Sequence, residues 1–493
     1  MTYDVIVVGS GAGAMTAAYL SARAGLSTAV VEGTALLGGT SAYSGAACWL
    51  PGTDVQARAG IADSTEAART YLGALLGTRD LAHQEAFLAT SPELVRTLEE
   101  DPALSFEWRA FPDYFDRPGR VPGGRSFVPV DLPLEEIGER AALVRPPVDR
   151  DRAGRGHRDE PLSAGRALIG RLLLALDRTG NGTVLTDTPV DGLVVEDGRV
   201  VGVTSANRTL RARRAVVVGA GGFERSAERR AAAGVPGRAA WSMAPAGTNT
   251  GEVLAAAIAV GAATALMDQG WWCPGIAMPD GGASFTLGFR GGIVVDRDGR
   301  RYANESLPYD QMGRAMAEDP ATRVPSYVVF DDREGGRLPA ISLPGGRPEE
   351  HLGGGTWLQA DTIEELAGLI GLPAGALRAT VDRFNGFAEA GRDEDFGRGE
   401  DEYARYFARP VLVPIDRPPF RAARLVLSDL GTKGGLVTDA DARVLRADNS
   451  AIAGLYAVGN AAASMTGTFY PGPGIPIGTA MAFAARAVAD LSS

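Results

Sequence analysis

Residues Gly9-Ser10-Gly11-Ala12-Gly13-Ala14 fit the pattern G-x-G-x-x-G/A, with Gly9 and Gly11 in the glycine positions and Ala14 in the third. Gly9 permits a tight turn, Gly11 lets the backbone approach a pyrophosphate, and Ala14 lets a helix and a strand pack closely. Glu32 ends the next apolar run, where a carboxylate accepts hydrogen bonds from ribose hydroxyls. Then come Gly38-Gly39-Thr40-Ser41 and Ser44-Gly45. Two glycines and small hydroxyls suit a backbone that runs tightly along phosphates and a bulky ring system. That extension favours FAD over a nicotinamide dinucleotide, so the chemistry in view is flavin redox chemistry.

These residues need a strand before the turn and a helix after it. Tyr3–Val8 is a short apolar run rich in β-branched residues, as a buried parallel strand should be. Ala14–Ala24 reads as a small-residue helix whose N-terminal N–H groups face the phosphates, and Ser27–Val31 as a second strand. Together they predict a β-α-β unit that opens a doubly wound sheet. Further strands are expected at Ala215–Val218, ending in Gly219-Ala220-Gly221-Gly222, and at Ala451–Val458, ending in Gly459-Asn460. Val190–Val195 and Val200–Thr204 read as a hairpin about Asp197-Gly198, and Gly478–Leu491 as a closing helix. The cofactor domain is thus expected from both ends of the chain, at residues 1–273 and 428–493, with a second domain inserted at 274–427.

Bulk properties narrow the function. A chain of 493 residues is too long for one ordinary core. A net charge of −11 argues against a nucleic-acid partner, which would call for a basic face. The densest basic stretch, Arg145 to Arg158, is mixed with Asp149 and Asp151 and reads as a solvated loop. Cys48 and Cys273 lack the spacing of a disulfide framework, a zinc site or an iron–sulfur site, so buried thiols in a reducing cytoplasm are expected and no metal. Tyr3 follows the first methionine too closely for a targeting segment, and no run of about 18 apolar residues suggests a membrane span.

The block Val5–Gly45, the strand end Gly459-Asn460 and the C-terminal Gly-rich turn resemble the fumarate reductase/succinate dehydrogenase flavoprotein superfamily. Three local motifs resemble, within it, the 3-ketosteroid 1-dehydrogenase family. They are Phe111-Pro112-Asp113-Tyr114 with Pro122-Gly123-Gly124, Arg301-Tyr302-Ala303-Asn304-Glu305-Ser306-Leu307-Pro308-Tyr309, and Tyr470-Pro471-Gly472-Pro473-Gly474 leading into Ile477-Gly478. The resemblance implies an α/β fold: a Rossmann-like FAD-binding domain of the glutathione-reductase type with an inserted α+β catalytic capping domain. It implies non-covalent FAD, with Val190, Ala220, Gly221, Gly459, Asn460, Gly474, Pro476 and Ile477 joining Gly9–Ala14, Glu32, Gly38–Ser41, Ser44 and Gly45 around it.

The resemblance also implies roles in desaturating a small apolar cyclic ketone of steroid type. Tyr309 is the base that takes a proton from the carbon next to the ketone, and Tyr114 sits by it and hydrogen-bonds to it. The Tyr470 hydroxyl and the Gly474 N–H hold the ketone oxygen. The physics agrees: proton removal beside a ketone builds negative charge on the oxygen, so donors aimed there lower the barrier. A phenol with an ordinary pKa near 10 is a poor base at neutral pH, and a second phenol helps it. The electron acceptor stays open, with a quinone among the candidates.

Rival readings are the same chemistry on a smaller cyclic ketone and a fumarate-reductase-like flavoprotein. The second calls for His and Arg beside the flavin, whereas this chain has only His83, His157 and His351 and neither residue type between Tyr456 and Gly478. A flavin-binding electron carrier would not use three tyrosines in this way. The third motif departs from the family at Thr468 (His expected), Phe469 (Thr expected) and Ile475-Pro476 (Ala-Thr expected). Trp49, Trp271 and Phe285 are expected to line a flat apolar slot.

Overall fold

A computed structural model describes residues 1–206, 208–342, 345–407 and 410–493. In chain order, β1 (Thr2–Val8) leads to α1 (Ala12–Arg23) and β2 (Thr28–Val31). After helical segments come α2 (Ala164–Thr179), β3 (Gly182–Leu185), β4 (Gly192–Glu196), β5 (Arg199–Ser205) and β6 (Arg208–Val218). The middle of the chain holds β7 (Gly270–Ala277), β8 (Ala283–Phe285), β9 (Ile293–Val295), α3 (Tyr309–Glu318) and β10 (Ser326–Phe330). It continues with β11 (Trp357–Ala360), α4 (Ile363–Ile370), α5 (Ala374–Ala390) and β12 (Phe420–Thr432). β13 (Arg443–Leu445), β14 (Ala451–Ala457) and α6 (Ile475–Ser492) close it. Among the described residues, no helix is long and apolar enough to cross a membrane.

Two compact units result. The first comprises Met1–Arg229, Ala244–Gln269 and Gly431–Ser493. Its sheet runs β13-β14-β6-β1-β2-β3, with the β4–β5 hairpin paired onto β6. β1 lies at the centre, parallel to both neighbours, with Val5–Val8 opposite Thr28–Val31 on one side and Ala215–Val218 on the other. Such a strand is covered on both faces, which is why Val5–Val8 form an unbroken apolar run that is buried throughout. β6 has two characters. Its first half, beside the hairpin, alternates exposed and buried residues, and its last four residues, beside β1, are all buried. Apolarity alone therefore predicted only the end of a strand that is much longer.

α1 and α6 cross closely: a Cβ on Gly13 would lie 2.9 Å from the Ala480 carbonyl oxygen. α6 begins three residues earlier than the sequence predicts, because Pro476 falls in the first turn, where no intrahelical N–H is lost.

The second unit comprises Arg230–Met243 and Gly270–Leu430. Its sheet runs β8-β7-β12-β10-β9, with β11 also on β12. β10 and β11 both pair antiparallel to β12. One face packs on α4 and α5 through Val329, Leu366, Val381 and Phe384. This α+β unit and the doubly wound first unit together are the fold class expected from the sequence.

The close crossing of α1 and α6 makes a direct prediction. Gly13→Val should destabilise the first unit by about 1–3 kcal/mol through overpacking. Urea unfolding followed by circular dichroism measures it, and an unchanged midpoint would show that the helices do not cross so tightly.

Candidate active site

The site begins at the carboxyl end of β1. Gly9 has φ +95°, and a Cβ there would meet the Gly219 oxygen at 2.5 Å, so only glycine turns the chain here. Ala14 backs onto Gly219, whose own Cβ would lie 2.8 Å from the Ala14 methyl. Gly11 caps α1 and leaves the helix's first N–H groups at the turn. One of them, on Ala12, donates to Ser41 Oγ at 3.0 Å. Ser10 Oγ donates to Glu32 Oε2 at 2.6 Å and accepts the Gly38 N–H at 2.8 Å. Glu32, at the end of β2, is buried, and Oε1 accepts the Thr34 N–H at 3.0 Å. A carboxylate has about four acceptor positions, which leaves capacity for a ribose diol.

Gly38 and Gly39 both have positive φ. Ser44 Oγ accepts the Ala46 N–H at 3.0 Å, and Gly45 lies between them with open space where a Cβ would be. Asn249 joins Thr40, at 3.4 Å, to Glu224, a fully buried acid that also accepts the Thr432 N–H at 3.2 Å. Gly221 leaves its open side to Asn249, since a Cβ would meet Nδ2 at 2.5 Å. Ala220 precedes it at the end of β6, Val190 is buried just before β4, and Gly459 (φ +62°) and Asn460 follow β14. Every expected cofactor residue therefore lies in the first unit. The bare turns at Gly9 and Gly38-Gly39, the helix N-terminus and the buried acid fit a dinucleotide, whose phosphates want backbone donors and whose ribose wants an acceptor. Among the described residues, no group of three or more His, Cys, Asp or Glu could hold a metal.

The run Tyr470–Gly474 precedes α6, with Pro476 and Ile477 in its first turn. The carbonyls of its last four residues are pinned. Pro471 O accepts the Tyr71 hydroxyl at 2.7 Å and the Tyr114 N–H at 3.0 Å, and Gly472 O accepts the Ile475 N–H at 3.3 Å. Pro473 O accepts Ser126 Oγ, and Gly474 O accepts the Trp49 N–H at 3.2 Å. Two of the five residues are prolines without an N–H, so Tyr470, Gly472 and Gly474 carry the donors. Side chains are excluded where the run touches its support. A Cβ on Gly474 (φ +89°) would lie 2.1 Å from Ala47 O, and one on Gly472 would lie 2.5 Å from Trp49 Nε1. The Tyr470 and Tyr114 rings are both buried and stand 5.3 Å apart between centroids, tilted by 35°.

Beneath this run lies a charge bridge that sequence reasoning missed. Arg125 is fully buried between Asp63 Oδ1 and Asp113 Oδ2, each at 3.0 Å. Asp113 also accepts Trp49 Nε1–H at 2.8 Å and the Val121 N–H at 3.2 Å. Burial raises the Asp63 carboxyl above its ordinary value, although the guanidinium beside it pulls the other way. Trp49 is wedged between Phe87, at 6.0 Å, and Arg125, at 5.0 Å, with no exposed surface. It braces the site rather than lining a slot, which corrects the sequence expectation.

Tyr309 belongs to the second unit, as the first residue of α3, and is buried. Phe285 meets its ring edge-on at 5.1 Å. Trp271 is buried within β7. A second correction concerns the Arg145–Arg158 stretch. Arg145 is not solvated: it is buried on Asp151 at 3.0 Å and donates to Thr34 Oγ1 at 2.8 Å, beside Glu32. Cys48 is a buried thiol pushed up to about 12 by desolvation, and Cys273 is buried too.

Comparison with known proteins gives these features relatives. A family model described as an FAD binding domain matches residues 4–477. The chain is 42% identical to a 3-oxosteroid 1-dehydrogenase of Rhodococcus opacus, over 99% of this chain and 98% of that one. It is 36% identical to a 4-oxocyclohexanecarboxylate 2-dehydrogenase of Sinomonas cyclohexanicum, over 97% and 91%. A solved 3-ketosteroid delta1-dehydrogenase from Sterolibacterium denitrificans, in complex with 1,4-androstadiene-3,17-dione, superposes with a TM-score of 0.91. That structure is 34% identical, with 100% of this chain and 99% of that one covered.

The charge bridge makes the second prediction. Arg125→Met strands two buried carboxylates and should cost about 3–5 kcal/mol, whereas Asp113→Asn added to it should restore part of that loss. Denaturant unfolding of the single and double variants checks this, and equal stability of R125M and the parent chain would remove the bridge from the account.

Proposed function

The chain belongs to the FAD-binding-domain family, among its 3-oxosteroid 1-dehydrogenases, and is an FAD-dependent oxidoreductase acting on a CH–CH bond; we propose that Tyr309, Tyr114, Tyr470 and Gly474 carry out its 1,2-dehydrogenation of a 3-ketosteroid. The observation that supports this most is the Tyr470–Gly474 run. The carbonyls of Pro471, Gly472, Pro473 and Gly474 are all hydrogen-bonded, which holds in place the two groups proposed as donors for a ketone oxygen, the Tyr470 hydroxyl and the Gly474 N–H.

The first unit is proposed as the FAD-binding domain and the second as the catalytic cap, close to the sequence boundaries of 1–273 with 428–493 and of 274–427. Gly9–Ala14, Glu32, Gly38–Ser41, Ser44, Gly45, Val190, Ala220, Gly221, Gly459, Asn460, Gly474, Pro476 and Ile477 would hold FAD without a covalent link. FAD supplies the acceptor for the hydride that leaves the carbon next to the one losing its proton.

The protein's own residues do the rest. Tyr470 and the Gly474 N–H draw electron density onto the ketone oxygen, which acidifies the neighbouring C–H. Gly474 opens α6, so the helix dipole adds partial positive charge at the same place. Tyr309 takes the proton, and Tyr114 is the second phenol of the proton path. The edge of Phe285 fixes the Tyr309 ring. Two buried thiols and no spanning helix among the described residues support a cytoplasmic location, and a quinone is proposed as the oxidant that regenerates FAD.

A smaller cyclic ketone is the second reading, since the Sinomonas relative is named for one. That substrate carries a carboxylate and calls for a cation, and the stretch from 457 to 477 contains no His, Arg or Lys.

The third prediction concerns the base. Anaerobic mixing with a 4-ene-3-ketosteroid should bleach the oxidised flavin band, and Tyr309→Phe should slow bleaching by about 10²–10⁴-fold while steroid still binds. Bleaching by a small cyclohexanone alone would replace the substrate. Bleaching by neither, while dithionite still reduces the flavin, would overturn the residue roles.

A further inference from the structure

Lys433 is the only lysine in a chain with 49 lysine and arginine residues, and it is fully buried. The function above does not use it. A buried ammonium costs several kcal/mol unless its N–H groups find acceptors, on the order of the desolvation penalty for one ion. Its three tetrahedral donors suit a cluster of separate carbonyls, whereas a planar guanidinium suits paired oxygens.

The backbone fixes where the side chain starts. The Lys433 N–H donates to Gln269 O at 2.9 Å, and Lys433 O accepts the Ser464 N–H at 3.1 Å. The two residues after it leave no room for a side chain. A Cβ on Gly434 would lie 2.5 Å from Leu266 O, and one on Gly435 would lie 2.5 Å from Ala461 O. From this seat Nζ donates to Gly467 O at 3.2 Å and to Phe469 O at 2.5 Å. Thr466 Oγ1 donates to the same Phe469 oxygen at 2.8 Å, and Gly467 takes φ +56° to close the turn. The turn from 464 to 469 is thus folded around a cation. The Phe469 carbonyl belongs to the peptide group whose N–H is that of Tyr470, so the ammonium acts on the peptide that carries the proposed oxygen-holding phenol.

We propose that Lys433 is a positioning residue for the dehydrogenation, fixing the 469–470 peptide and hence the Tyr470 hydroxyl. It also sets a full positive charge one residue from the donor that holds the ketone oxygen. This rests on the role proposed for Tyr470. A fixed cation helps more as negative charge grows on the oxygen than in the ground state, so it serves the chemical step more than binding.

One lysine makes the test specific. Holoenzyme grown on [ζ-15N]lysine gives a single ammonium signal, followed while the 1,4-diene-3-ketone product is added to protein whose flavin steroid has been shown to bleach. The signal should shift as product binds. Flavin-loaded Lys433→Met should lose kcat on the order of 100-fold, as expected when a reacting group is misplaced, with KM changed by less than about threefold. A signal that stays still while product binds overturns the proposal, and so does flavin-loaded K433M that turns over at the parent rate. If K433M does not accumulate, the parent signal decides alone. Failure of the parent flavin to bleach with steroid strikes instead at the dehydrogenase reading, and the lysine proposal falls with it.

Discussion

Arg125, held between Asp63 and Asp113 with no access to water, is the constraint on which the site rests. Two carboxylates cannot be buried together without a cation, and a lone buried guanidinium is equally unfavourable, so the three groups are stable only as a set. The set binds distant parts of the chain together. Asp113 holds the Trp49 indole and the Val121 N–H, the neighbouring Tyr114 N–H holds Pro471 O, and Trp49 N–H holds Gly474 O. A short run rich in glycine and proline has little side-chain packing of its own. It keeps its shape because the carbonyls of Pro471 to Gly474 are held by hydrogen bonds. A run held this firmly is suited to the oxygen-holding role proposed for Tyr470 and Gly474.

The cofactor end obeys a simpler rule. Phosphates approach backbone N–H groups only where side chains are missing, and Gly9 and Gly38 sit where a Cβ would strike backbone or a neighbouring methyl. Ser10 ties the two turns together by donating to Glu32 and accepting from Gly38, so the acid and the glycine turn are placed as one piece. Thr34 and Arg145 extend that piece outward.

Legibility in the sequence tracked the range of the interaction. β1, β2 and the β4–β5 hairpin were readable within a residue or two, since burial on both faces and the Asp197-Gly198 turn leave local patterns. The first half of β6 escaped because one exposed face rich in arginine hides a strand from any count of apolar residues. Arg125 and Arg145 escaped for another reason. Their carboxylate partners decide whether an arginine is buried, and a sequence does not say which acid meets which base. Trp49 was noticed for its size and given the wrong task, since a large aromatic can brace a site as readily as line it. Lys433 carried a signal that composition could have raised, as the only residue of its type among so many arginines.

The central claim is that the Tyr470–Gly474 run presents hydrogen-bond donors to a ketone oxygen. Difference infrared spectroscopy of a 3-13C-labelled 3-ketosteroid bound to the holoenzyme reads that contact at the bond it polarises. The account predicts a C=O stretch below its value for the same steroid in water, because preorganised donors polarise the carbonyl more than solvent does. A stretch at or above the water value would place the ketone in an apolar seat and contradict the account.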